Sequence, residues 1–371
     1  MEAYLDNAAT TKVDNKIIKK INLTLTKYYG NPSSLHKKGQ EAKLLLENSR
    51  KLIAKSINAY SEEIYFTSSG TESNNLAIRS LLSNTKNKHI ITTKIEHPSI
   101  LNLCKELERE GYKVTYLAVD NEGFIDLKEL KDSIKKDTAL VSIIHANNEI
   151  GTIQDIKEIS KLCKSVLLHI DAVQSYKKII LDVKKLNISS LTISSHKIHG
   201  PKGSSALYLK NNLKLKPLIF GGSQESSLKP GTENVPSIVG FGLASKLEIK
   251  DVSKLKNYFI LKLLKEIKDI KIISPQKSLS NIISVAFEGV ESHTLLNHLN
   301  LKNIYASTGS ACSSNQLEPS HVLKAINLEK QYLHSVIRFS LSKYTTKQEI
   351  DYTIKNLKTI VHSLRGLNDI N

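Results

Sequence analysis

Short apolar runs rich in β-branched residues alternate with longer stretches of helical period over the first two-thirds of the chain. This alternation predicts a mostly parallel sheet wrapped by helices. The apolar runs fall at residues 64–67, 89–93, 114–119, 139–144, 166–170, 191–194 and 206–209, which makes seven strands. Between them, residues 72–82, 99–110, 127–134 and 156–163 carry apolar positions at helical spacing. A Lys-rich helical stretch over 247–269 leads out of this unit. Beyond it, strands near 282–287 and 337–341 and a helix over 349–364 predict a smaller α+β unit. A chain of 371 residues suits one large α/β domain with a smaller companion. No internal repeat or low-complexity linker interrupts the pattern.

Composition narrows the class. With 40% hydrophobic and 24% charged residues the chain is ordinary globular protein, neither disordered nor a disulfide miniature. No stretch approaches the roughly 18 consecutive apolar residues of a membrane span. The first 14 residues place Asp6 and Asn7 early and hold no apolar signal core, so a cytoplasmic protein is expected. Cys104, Cys163 and Cys312 form no C-x-x-C pair, which excludes a disulfide framework and a four-thiolate zinc site and fits a reducing compartment. The net charge of +17 raises the alternative of a basic RNA-binding protein, but the lysines are spread along the chain and form no arm or patch.

In an open parallel sheet, ligands gather beyond the carboxyl ends of the strands, and polar residues there are the candidates for chemistry. After the first run comes Ser68-Ser69-Gly70-Thr71-Glu72-Ser73-Asn74-Asn75, a small-residue turn opening a helix, where free amides favour phosphate. The same residues also read as a plain helix cap. Asp171 ends another run with Gln174 one turn later, and Lys197 sits in the turn Ser194-Ser195-His196-Lys197-Ile198-His199-Gly200. A lysine beside a histidine there suits covalent capture of a carbonyl, although lysine is also the commonest solvated charge in this chain. His196 and His199 lack a third ligand nearby, and no metal is expected.

Together these pieces resemble the cysteine desulfurases of the NifS/IscS type, within the class V aminotransferase group of pyridoxal-phosphate enzymes. The resemblance starts at Tyr4-Leu5-Asp6-Asn7-Ala8-Ala9-Thr10-Thr11 and passes through Gly30-Asn31-Pro32-Ser33-Ser34-Leu35-His36, Glu96-His97 and Asn147-Asn148-Glu149-Ile150-Gly151. It continues through His196-Lys197, Gly200-Pro201-Lys202-Gly203 and Gly231-Thr232-Glu233-Asn234-Val235-Pro236. It ends with Gly309-Ser310-Ala311-Cys312, Glu318-Pro319-Ser320-His321-Val322-Leu323 and Arg338-Phe339-Ser340. The chain departs from the family pattern at Ser69, Gly70, Ser195, His199 and Lys229, and it stops short of the tail that many relatives use to dock a scaffold protein.

The resemblance implies a fold-type-I pyridoxal-phosphate enzyme, with a large domain over residues 13–250 and a small one from residues 1–12 and 251–371. Lys197 would bind pyridoxal phosphate covalently and move the substrate Cα proton. Asp171 would pair with the pyridine nitrogen, Gln174 with the ring hydroxyl, and His97 would stack on the ring. Gly70, Thr71, Ser194 and His196 would hold the phosphate, with Thr232 reaching in from a second subunit of a homodimer. Asn148 and Arg338 would hold the substrate carboxylate. Cys312 lies among Ser, Thr, Gly and Asn with almost no apolar neighbour, unlike Cys104 and Cys163, and is read as the nucleophile that takes substrate sulfur as a persulfide. The implied reaction converts L-cysteine to L-alanine and hands sulfur to an iron–sulfur scaffold or a tRNA-thiolation protein. Selenocysteine lyase and other class V aminotransferase activities are the sibling alternatives.

Overall fold

The computed structural model describes residues 1–213, 216–309 and 318–368. A two-residue strand, β1 (Ala3–Tyr4), opens the chain, and the main sheet follows with β2 (Ile64–Thr67), β3 (His89–Thr93), β4 (Lys113–Leu117), β5 (Thr138–Ile144), β6 (Leu167–Asp171), β7 (Ser190–Ser194) and β8 (Ser205–Leu209). Its order is β2-β8-β7-β6-β5-β3-β4. Every pair is parallel except those made by β8, which runs antiparallel to both β2 and β7. The reason is chain length, because only residues 195–204 join β7 to β8 and a parallel return needs a crossover of a dozen residues or more. Strands β3, β5, β7 and β8 are buried at every residue, as continuous apolar or small-polar runs covered on both faces require.

A second, antiparallel sheet has the order β12-β10-β9, from β9 (Ile270–Ile272), β10 (Ile282–Phe287) and β12 (Val336–Ser340). Strand β1 pairs in parallel with β11 (Ile304–Tyr305), and Asp6 bridges to Ser340, so the N-terminus belongs with this half of the molecule. A separate core built on Leu5, Phe259, Phe287, Phe339 and Leu357 seals that half.

Five described helices stand outside the sequence reading: Ser292–Leu301, His321–Ala325, Asn15–Lys27, Lys37–Ser56 and Val235–Ala244. The last is apolar nearly all round and buried, so no periodicity marks it. The expected helix over 247–269 shortens to Ser253–Glu266, because Asp251 accepts from the Ser253 amide and hydroxyl and turns the chain there. Cys104 and Cys163 are buried, and burial pushes both thiols up to about 12, as expected of packing cysteines.

Glu96, just beyond β3, ties that strand to its neighbour β5. Its Oε1 accepts from Thr93 Oγ1 and from the Ile144 amide, both at 2.8 Å, while Oε2 is buried without a partner. Burial pushes this carboxyl from its ordinary 4.5 up to about 8. The folded chain thus keeps a proton that the unfolded chain releases, and stability falls as pH rises from about 4.5 to about 8. Glu96→Gln is expected to gain stability over the wild type as pH rises through that window. Urea midpoints at pH 5 and pH 8 check this, and a wild-type-minus-variant difference that does not change with pH refutes it.

Candidate active site

The carboxyl ends of β2, β3, β5, β6 and β7 open onto one cavity of about 300 Å³, closed on its far side by residues of the second half. The helix Gly70–Leu82 points its N-terminus into it, with Ser69 as N-cap accepting from the Glu72 amide. A Cβ at residue 70 would stand 2.9 Å from Val173 Cγ2, so glycine lets the helix start close to the loop after β6. Gly70 and Thr71 wall the cavity, and first-turn amides have no partner within a helix, which makes this end suited to a phosphate.

Asp171, the last residue of β6, is buried. Its Oδ1 accepts from the Val173 amide at 2.9 Å and its Oδ2 from Asn74 Nδ2 at 2.8 Å. Gln174 lies one turn on, with Nε2 donating to Ala8 O at 2.9 Å and Oε1 accepting from Lys178 Nζ at 3.5 Å. Lys197 follows β7 in a short 3₁₀ turn, its Nζ donating to the carbonyls of Ala8 and Ala9 at 2.6 and 2.7 Å. The N-terminal segment is thereby pinned over the lysine. His196 places Nδ1 3.2 Å from Thr10 Oγ1, and burial, with Lys197 adding to it, pushes the imidazole down to about 3. His97 caps the helix Pro98–Arg109, its Nδ1 accepting from the Ser99 amide at 3.1 Å. Burial lowers the His97 pKa, and the Asp171 carboxylate opposes that effect.

Arg338, on β12, is 2% exposed and the largest of the fully buried side chains. One terminal nitrogen donates to Asn148 O at 2.8 Å and Gly309 O at 3.0 Å, the other to Asp6 Oδ1 at 2.9 Å, and Nε is buried without a partner. Asn148 and Arg338 both line the cavity.

Two sequence-derived residues stand elsewhere. Ser194 faces Ser205 across the β7–β8 ladder, and its hydroxyl accepts from Ser205 Oγ at 2.8 Å. A directly opposed pair turns toward itself, and Ser194 does not wall the cavity as expected. Thr232 is exposed and away from the cavity of its own chain. Cys312 lies outside the described residues, although Gly309, three residues earlier, forms part of the cavity wall. Sequence reasoning assigned no role to Asn74, Glu149 or His321. Glu149 accepts from Ser320 Oγ at 2.5 Å, and His321 Nε2 donates to Glu96 O at 2.9 Å. The shared signal was there in the motifs that hold them, but spacing alone says nothing of contact.

An anion-seeking helix start, a buried carboxylate and a lysine amine on one cavity form a donor set that fits pyridoxal phosphate. The three match its phosphate, its ring nitrogen and its aldehyde in turn.

Comparison with known proteins agrees with this geometry. Residues 3–353 match the family described as aminotransferase class-V. A protein named cysteine desulfurase IscS from Dictyoglomus turgidum is 46% identical, covering 99% of this chain and 96% of its own. The cysteine desulfurase IscS of Methanosarcina thermophila is 43% identical over 99% of this chain and 94% of its own. Among solved structures, a NifS-like protein superposes with a TM-score of 0.92 at 37% identity, covering 98% of this chain and all of the other. A structure described as SspA in complex with cysteine gives 0.84 at 35% identity, over 93% of this chain and 100% of that one. The chain therefore belongs to the class-V aminotransferase family and, within it, to the cysteine desulfurases.

Proposed function

We propose that this protein takes sulfur from L-cysteine, releases L-alanine and holds the sulfur on Cys312 as a persulfide. The observation that carries the reading is a single cavity walled by Lys197, Asp171, His97 and Arg338, with Gly309, three residues before Cys312 in the sequence, also in its wall. The cysteine desulfurase names of relatives at 46% identity support it, as does the neighbour solved with cysteine. The enzyme is pyridoxal-phosphate-dependent. The reaction balances as one substrate thiol plus one enzyme thiol giving alanine plus one enzyme persulfide, with no external oxidant.

Bound pyridoxal phosphate supplies an electron sink for charge developing at the substrate Cα. Gly70, Thr71 and His196 hold the phosphate, neutral His196 as a hydrogen-bond partner and not as a charge. Asp171 would pair with the ring nitrogen and Gln174 with the ring hydroxyl. Arg338 and Asn148, both in the cavity wall, hold the substrate carboxylate, which the guanidinium charge attracts. Lys197 carries the Cα proton, and neutral His97 holds its own proton on Nε2, because Nδ1 already accepts from Ser99. The thiolate of Cys312 attacks the substrate sulfur.

We place this chain in the cytoplasm as a homodimer, divided into residues 13–250 and residues 1–12 with 251–371, with Thr232 serving the partner's phosphate site. Ile219 and Phe220, 62% and 84% exposed, support a subunit contact near Thr232. Among the described residues no helix is long and apolar enough to cross a membrane. The sulfur passes on to an acceptor protein of iron–sulfur assembly or tRNA thiolation.

Incubation with L-cysteine, measuring alanine and protein-bound persulfide together, tests the activity. Cys312→Ser is expected to bind cysteine and yield neither product, since a hydroxyl at neutral pH is a far weaker nucleophile than a thiolate. Cys104→Ser and Cys163→Ser are expected only to lose stability, by about 1–3 kcal/mol for a hydroxyl in apolar packing. Alanine at the wild-type rate from Cys312→Ser would overturn the reaction. Arg338→Lys is expected to weaken cysteine binding by about 1.5–3 kcal/mol, the scale of one charge-assisted hydrogen bond, and unchanged affinity moves the carboxylate site elsewhere. Phe220→Asp is expected to shift the protein toward monomer in light scattering, and an unaltered dimer rules out this contact.

A further inference from the structure

Asn74 is 1% exposed and sits in the cavity wall, where its one amide bonds Asp171 directly and reaches His97 through Ser99. Its Nδ2 donates both to Asp171 Oδ2 at 2.8 Å and to Ser99 Oγ at 2.9 Å, and its Oδ1 stands 3.2 Å from His169 Nε2. Ser99 Oγ is in turn 2.9 Å from His97 Nδ1.

One-way partners fix the direction of every bond in this chain. A carboxylate only accepts, so the atom facing Asp171 is the amide nitrogen of Asn74. Burial holds the His169 pKa down to about 3, so that ring is neutral with a single proton. Facing the carbonyl oxygen of Asn74, it carries that proton on Nε2, which leaves Nδ1 to accept from Ser190 Oγ at 2.7 Å. Ser99 Oγ already accepts from Asn74, and its hydrogen is directed to His97 Nδ1. The Ser99 amide, which can only donate, points at the same nitrogen. Hydrogen bonds therefore run in one direction from Ser190 through His169, Asn74 and Ser99 to His97, with a branch to Asp171.

We propose that Asn74 is a positioning residue that couples the two ends of the site, orienting the Asp171 carboxylate and directing the Ser99 hydroxyl as a second donor, beside the Ser99 amide, to His97 Nδ1. The proposal rests on the functional reading above for what Asp171 and His97 do, but the hydrogen-bond chain is a property of the protein itself. Burial lowers the His97 pKa, and besides Asn74's partner Asp171 two titratable groups, Lys197 and His321, bear on it. Asp171 raises its pKa, and Lys197 and His321 lower it.

The test is nitrogen-15 spectroscopy of the His97 ring in protein free of pyridoxal phosphate, with His97→Gln to assign the signal, beside pyridoxal phosphate affinity. The wild type is expected to show a neutral ring protonated on Nε2. Asn74→Asp has nearly the same shape, but two buried carboxyls this close share one proton, so Ser99 loses its amide donor and can turn its hydroxyl to the new carboxyl. It is expected to raise the His97 pKa by up to about one unit, the scale of one lost hydrogen bond to Nδ1, and to weaken pyridoxal phosphate on the order of tenfold, because Asp171 no longer keeps a full charge. Ser99→Ala removes only the hydroxyl branch to His97, so it is expected to raise the His97 pKa while the Ser99 amide keeps the neutral ring protonated on Nε2, and to leave cofactor affinity within about twofold. A merely structural Asn74 lowers the melting temperature of Asn74→Asp and leaves the His97 signal and cofactor affinity unchanged, which overturns the proposal. If Asn74→Asp does not fold, Asn74→Ser is read by the same two measurements. A wild type with no affinity for pyridoxal phosphate overturns the cofactor reading, while the His97 signal still decides the role of Asn74.

Discussion

The structure depends on the burial of the Arg338 guanidinium. A charge at 2% exposure is costly unless its donors find partners, and those that hold it come from three distant stretches of chain. Asp6 is brought from the N-terminus, Asn148 from the turn after β5 and Gly309 from the segment before Cys312, all onto a residue of β12. The cavity is consequently shared between the two sheets. The N-terminal segment fixed in this way also supplies the Ala8 and Ala9 carbonyls that hold Lys197. Loss of one partner of such a buried charge is felt across the site, since the other contacts lose their reason to converge.

Burial also decides which groups around the cavity carry charge. His169 and His196 are held down to about 3, His145 to about 4, and Glu96 is pushed up to about 8, so each is neutral at pH 7 or largely so. These side chains act as directed hydrogen-bond partners. A neutral surround lets the few remaining charges act over the cavity with little competition, the condition under which preorganised dipoles are most effective.

The main sheet was legible because its strands are short β-branched runs, and β2, β3 and β10 begin and end where the pattern predicts. The strand order was not legible, and neither was the reversal of β8, since pairing depends on how the chain returns. The helices Asn15–Lys27 and Lys37–Ser56 went unread although the first is amphipathic and capped by Asp14; what the sequence did not show is that both pack against the helix Val235–Ala244. Likewise, Gly70 looked like a departure from the family pattern, and only the 2.9 Å approach of Val173 gives it a physical reason.

For the site, the sequence by itself determined the identities and order of Lys197, Asp171, His97, Arg338 and Cys312, through motifs whose residue types fit one chemistry. Strand-end position determined that several of them meet at one end of the sheet. Only the tertiary structure decided that Ser194 turns to Ser205, that Arg338 is already held by Asp6 with Nε left over, and that Asn74 links Asp171 to His97. The reason is the same in each case: a residue's chemistry is written locally, whereas the hydrogen bonds that orient it join positions up to 332 residues apart and exist only once the chain has packed.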